Sequence, residues 1–281
     1  MKNLFLPLLA LLVLFGACQK SALVDNSASS AKVDYTLKAL LTTYPANLIS
    51  SPIVTNPADF TEQIIHEQTP INIVTTSTVK FNNSNPVLHY NLITLSSVLN
   101  NAGENLKVNV TGADKANNYV TFNGKKYNLA QFHFHYSSEH TVNGNYSPME
   151  VHFVNIAADN SYAVLGVLLN LGNSNKSLTT LFRYSPKVAD EVKSYNTTID
   201  LTKILPSNIK NYYTYRGSLT TPHYGESSNE PNGGPVTWVV FKNGQTIDNK
   251  SISDYTGIYV ESNFRTIQPL GSRKVYENIQ N

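Results

Sequence analysis

Two short segments concentrate the side chains that could do chemistry, Gln131-Phe132-His133-Phe134-His135-Tyr136 and Met149-Glu150-Val151-His152-Phe153-Val154. Successive side chains of a strand point to opposite faces. On a strand, Gln131, His133 and His135 therefore share one face, and Phe132, Phe134 and Tyr136 share the other. In the second segment Glu150, His152 and Val154 fall together. The intervening Asn143-Gly144 pair is a strong two-residue turn signal, so close return of the chain is expected and three imidazoles meet if the strands are neighbours. Three neutral imidazoles on rigid strands, with a fourth position open to water, form the pattern of catalytic rather than structural zinc. Spacing alone also fits histidines lining an exposed sheet face, because His-x-His recurs by chance. Gln131 and Glu150 favour the metal: each precedes a candidate ligand by two residues on the same face, where an acceptor can fix the imidazole tautomer.

The elements that must position these residues read as strands. Alternating or β-branched segments recur at Ile71–Thr75, Leu106–Val110, Tyr119–Phe122, Tyr127–Tyr136, Glu150–Asn155, Tyr162–Leu171 and Thr237–Phe241, with Asn123-Gly124, Asn143-Gly144 and Asn243-Gly244 as turn signals between strands. Helical periodicity is confined to Leu178–Tyr184 and Lys187–Lys193. The expected fold is mainly β: a central, twisted, largely antiparallel multi-stranded sheet with short peripheral helices.

Composition narrows the function classes. With 41% hydrophobic and 14% charged residues the 281-residue chain can bury a sizeable core. Its formal charge of +2 gives no basic footprint for nucleic acid. The single cysteine, Cys18, excludes an intramolecular disulfide and a zinc site built from several thiolates, so any metal must rely on histidine or carboxylate. Lys2 followed by the apolar run from Leu4 to Phe15, closing on Gly16 and Ala17, reads as a secretory signal over residues 1–17, too short to span a bilayer. Phe15-Gly16-Ala17-Cys18 resembles a bacterial lipobox, which makes Cys18 the lipidated residue and 18–34 a flexible tether. The protein is then exported, periplasmic or at the cell surface, and held to a bacterial membrane by lipid alone. Residues 35–281 show no repeat and no second linker and read as one catalytic domain.

The string Gln131-Phe132-His133-Phe134-His135, then Ser138-Glu139-His140-Thr141-Val142 and Met149-Glu150-Val151-His152, resembles the signature of the α-class carbonic anhydrases in their bacterial form. Further motifs of that family occur in order: Gln68-Thr69-Pro70, Ala163-Val164-Leu165-Gly166, Ser218-Leu219-Thr220-Thr221-Pro222, Val236-Thr237-Trp238 and Asn263-Phe264-Arg265. The resemblance implies reversible hydration of carbon dioxide to bicarbonate by hydroxide on one zinc ion, inhibited by sulfonamides and small anions. It makes His133, His135 and His152 the ligands, supported by Gln131, Glu150 and the backbone carbonyl of Asn263. Thr220 would accept a hydrogen bond from the hydroxide and donate to Glu139. Val154, Val164, Leu219, Thr221 and Trp238 would form the substrate pocket, and His140 would be a buried structural residue rather than a ligand.

The chain departs from the family around proton removal. Glu104 stands where many relatives carry a shuttling histidine, and a carboxylate ordinarily titrates too far below neutrality to relay well. His223 replaces a proline and is the other candidate shuttle, beside a Gly-, Asn- and Ser-rich stretch that reads as a loop. The alternative to an enzyme is a non-catalytic, zinc-retaining surface binding module on the same fold. Presence of all three histidines favours the enzyme.

Overall fold

The computed structural model describes residues 53–54, 61–83, 86–221 and 232–280. The expected signal, Cys18, the tether and His223 lie outside the described residues. A mixed sheet of 13 strands among the described residues carries the fold. At its centre lie β1 (Asn105–Asn109), β2 (Lys125–Tyr136), β3 (Met149–Ala157), β4 (Tyr162–Leu171), β5 (Tyr212–Gly217) and β6 (Val236–Phe241). Their spatial order is β1-β2-β3-β4-β6-β5, antiparallel throughout except for the parallel pair β4-β6. Short helices, the longest of eight residues (Lys176–Arg183 and Asn249–Thr256), lie outside the sheet. No helix among the described residues is long and apolar enough to cross a membrane.

Alternation in β2 and β3 explains why the sheet carries two different faces. Phe132, Phe134, Val151 and Phe153 are completely buried in the larger core cluster, with Phe132 and Phe153 stacked at 5.4 Å between ring centroids. Each such side chain contributes about 1.5–3 kcal/mol by leaving water. This apolar layer fixes which way the intervening polar residues point, because a slip of one residue would exchange the faces. A second cluster that includes Val154, Val164, Tyr215 and Trp238 packs beside the polar residues. Asn143 and Gly144 both adopt positive φ (51° and 80°), the backbone of a tight hairpin turn, and join the short strands Thr141–Val142 and Asn145–Tyr146 between β2 and β3.

Two expectations fail. Residues 187–193 are not helical: Asp190 takes φ 61°, Val188 and Val192 stay exposed without an apolar partner face, and Val192–Lys193 pairs as a strand with Val98–Leu99. Asn243-Gly244 is not a hairpin turn. The strands on either side of it, β6 and Gln245–Ile247, both pair in parallel with β4, so the pair bridges two stretches along one neighbour. The helix Asn249–Thr256 was not anticipated, although Asp248 caps it by accepting from Ser251 N at 2.7 Å, a signal legible in the sequence.

Candidate metal centre

Register brings the histidines together. On the β2-β3 ladder His152 lies directly opposite His133, and Glu150 opposite His135. Residues directly opposite on an antiparallel pair share a face with neighbouring side chains. The three imidazoles accordingly cluster, with ring centroids 5.0 Å apart for His133–His135, 5.4 Å for His133–His152 and 4.6 Å for His135–His152. One nitrogen from each lies within 4.8 Å of the others, close enough to hold one metal ion.

The remaining nitrogens show which atoms face the ion. His133 Nδ1 lies 2.8 Å from Gln131 Oε1, and His135 Nδ1 lies 3.0 Å from the Asn263 carbonyl oxygen. His152 Nε2 lies 3.0 Å from Glu150 Oε1. Gln131 and the Asn263 carbonyl select the tautomer whose proton sits away from the cluster, and the Glu150 carboxylate, within ion-pair distance of His152 Nε2 though not aligned as a hydrogen bond, draws the His152 proton the same way. This leaves Nε2 of His133, Nε2 of His135 and Nδ1 of His152 turned inward. The first two are buried with no hydrogen-bond partner. Orphaned buried nitrogens cost free energy unless something binds them, and three converging imidazole donors suit zinc.

The supporting groups are themselves fixed. Asn263 clamps the end of β2: its Oδ1 accepts from Tyr136 N at 2.9 Å and its Nδ2 donates to Phe134 O at 3.0 Å. Glu150, fully buried, accepts through Oε2 from the backbone N–H groups of Glu139 and His140, both at 2.9 Å, while its Oε1 also lies 2.8 Å from His140 Nδ1. Sequence reasoning placed Glu150 against His152 alone. His140 is buried with both nitrogens occupied, the second 2.7 Å from the Tyr215 hydroxyl, so its grouping with Glu150 and His152 is a hydrogen-bonded network and not a second metal site.

Electrostatics follow from burial and from this network. Burial, reinforced by the neighbouring imidazoles, holds His133 well below its ordinary pKa. Burial likewise lowers His135, against the opposing pull of Glu139. His152 is raised: burial opposes its charge, but the Glu150 carboxylate outweighs that. Glu150 itself lies well below the usual carboxylate range, because His140 and His152 overcome the cost of its burial.

A contribution that sequence reasoning missed comes from Gly166, which faces His152 on β4. A Cβ there would lie 2.8 Å from Glu150 Oε1, too close for an unmoved carboxylate. Gly166→Ala should therefore displace Glu150 and destabilise the fold by about 1–3 kcal/mol. Thermal unfolding checks this, and an unchanged midpoint would show that Glu150 has room to move.

The histidine face opens into a cavity of about 570 Å³. His133 and His152 line it with Val154, Val164, Leu219, Thr220, Thr221 and Trp238, so the residues expected to form the substrate pocket do stand together. Glu104 lines the same cavity, and so do Lys107 and Tyr162, which sequence reasoning did not single out. Glu139 is buried against the histidines, its Oε2 3.4 Å from His135 Nε2 and its Oε1 accepting from Arg265 N at 2.8 Å. Glu139 and Thr220 line a common adjoining cavity, yet Glu139 Oε2 has no hydrogen-bond partner and the expected Thr220–Glu139 bond is not made among the described residues.

Comparison with known proteins is decided over most of the chain, because the model of the eukaryotic-type carbonic anhydrases matches residues 57–279. The chain belongs to that family. The carbonic anhydrase of Neisseria gonorrhoeae is 34% identical over 210 residues, covering 75% of this chain and 77% of the relative. The solved α-carbonic anhydrase of Thermovibrio ammonificans, in complex with sulfanilamide, superposes with a TM-score of 0.68 at 34% identity over 76% of this chain and 88% of that one. The Photobacterium profundum α-carbonic anhydrase gives a TM-score of 0.65 at 31% identity over 75% and 89% of the two chains. The large mixed sheet and short helices are the carbonic anhydrase fold, and the histidine cluster fits the zinc on which α-carbonic anhydrases depend.

Proposed function

We propose that the chain is a zinc enzyme that hydrates carbon dioxide reversibly to bicarbonate and a proton, with His133, His135 and His152 as the ligands. The observation that carries this is the triad of converging imidazole nitrogens, two of them buried and unpartnered, at the base of a half-apolar cavity. Bound zinc supplies acidified water, with a pKa of about 7 as established for carbonic anhydrases, and so a nucleophile at neutral pH. Gln131, Glu150 and Asn263 hold the three rings in place. Val154, Val164, Leu219 and Trp238 offer carbon dioxide a dry wall that needs no specific clamp. The Thr220 hydroxyl is assigned to orient the nucleophile, and Glu139 Oε2, unpartnered and lining the same adjoining cavity, is the acceptor assigned to that hydroxyl once the metal and its water are bound.

Stopped-flow hydration of carbon dioxide by the zinc-loaded protein, titrated with sulfanilamide, tests the reading. Saturable inhibition is expected, and a protein that holds zinc but gives no hydration above background would support the binding module instead. Proton removal is expected to limit kcat, because Glu104 is exposed at the cavity where a histidine would serve better. Added imidazole buffer and Glu104→His should both raise kcat with little change in kcat/KM. If kcat is already independent of buffer, another group carries the proton, and its loss in His223→Ala would point to His223. Export with lipid attachment at Cys18 rests on the Lys2-to-Cys18 pattern. Cys18→Ser is expected to move the protein from the membrane to the soluble fraction or to block processing, and an unlipidated soluble wild type would contradict the anchor.

A further inference from the structure

Lys107 is the one cation lining the histidine cavity among the described residues. Its place follows from register: Lys107 lies opposite His133 on the β1-β2 ladder, two residues from Asn109 opposite Gln131, so its side chain belongs to the face that carries the imidazoles. It is half-buried, and its ammonium makes no ion pair or hydrogen bond among the described residues. Glu104 lines the same cavity without pairing with it. Burial lowers the lysine's own pKa, as expected for a cation that has lost water without gaining a counterion.

A half-desolvated, unpaired cation lining a cavity of this size attracts anions, and the apolar lining of Val154, Val164, Leu219 and Trp238 offers no competing positive charge. We propose that Lys107 is the anion-selecting residue of this cavity, holding small monovalent anions, the product bicarbonate among them, against the histidine face. The assignment rests on the function proposed above, since it takes the anion to bind beside the zinc site. Asn101 and Asn105, which also line the cavity, add neutral polar groups to the same side. Charge sets the attraction, so arginine should replace lysine and a neutral side chain of similar length should not.

The test uses zinc-loaded protein and thiocyanate as the probe. Calorimetric titration of wild type, Lys107→Met, Lys107→Arg and Lys107→Glu is read alongside zinc content measured by atomic absorption. With zinc content unchanged, thiocyanate affinity should fall roughly tenfold in Lys107→Met, further in Lys107→Glu, and stay within about twofold of wild type in Lys107→Arg. Equal affinity in all four proteins would overturn the assignment while leaving the hydration reaction standing. Equal weakening in the methionine and arginine variants would also overturn it, because shape rather than charge would then be responsible. A wild-type protein that holds no zinc would overturn the proposed function and this assignment together.

Discussion

Alanine at His133, His135 or His152 should remove metal and activity together. Each variant leaves two inward nitrogens where tetrahedral zinc needs three protein donors beside an open position, and loss of His133 or His135 also strands the acceptor that held the ring, Gln131 Oε1 or the Asn263 carbonyl. Atomic absorption should find well below one zinc per chain, and hydration should fall to background. The fold should survive, since the apolar layer of Phe132, Phe134 and Phe153 lies on the other face and is untouched. A variant that kept a full complement of zinc would remove its histidine from the ligand set.

Thr220→Ala should give the second-largest effect and a different signature. Zinc should stay, because none of the three inward nitrogens depends on Thr220. kcat/KM should drop on the order of a hundredfold, about 2.7 kcal/mol, the scale for losing one oriented contact to the reacting group. Thr220→Ser, which keeps a hydroxyl able to donate to Glu139, should recover most of it. Unchanged rates in Thr220→Ala would refute the orienting role and leave Glu139 Oε2 without the partner assigned to it.

The site was legible where chemistry follows from local alternation. His133 and His135 share a face because a strand has a period of two, and Gln131 and Glu150 precede their rings by the same rule. The order of family motifs then supplied Asn263, Thr220 and the cavity wall, which no local pattern contains. What stayed hidden depends on pairing between distant segments. Lys107 enters the cavity only through its register with His133, and the need for Gly166 appears only once β4 lies against Glu150. The Lys187–Lys193 misreading has the same origin: its two valines mimic a helical face, but no core lies beneath them and strand pairing with Val98–Leu99 decides the conformation. At Asn243-Gly244 the turn signal was read from composition, whereas the neighbour β4 extends past both flanking strands and keeps them in line.

The central claim is that three imidazoles hold one zinc ion and that carbon dioxide hydration depends on it. Its most direct measurement is the stopped-flow hydration rate of one preparation before chelation, after removal of the metal, and after zinc is returned. The account predicts about one zinc per chain at the start, loss of hydration in proportion to zinc removed, and recovery when about one equivalent is restored. Hydration that persists at full rate in the metal-free protein would contradict it.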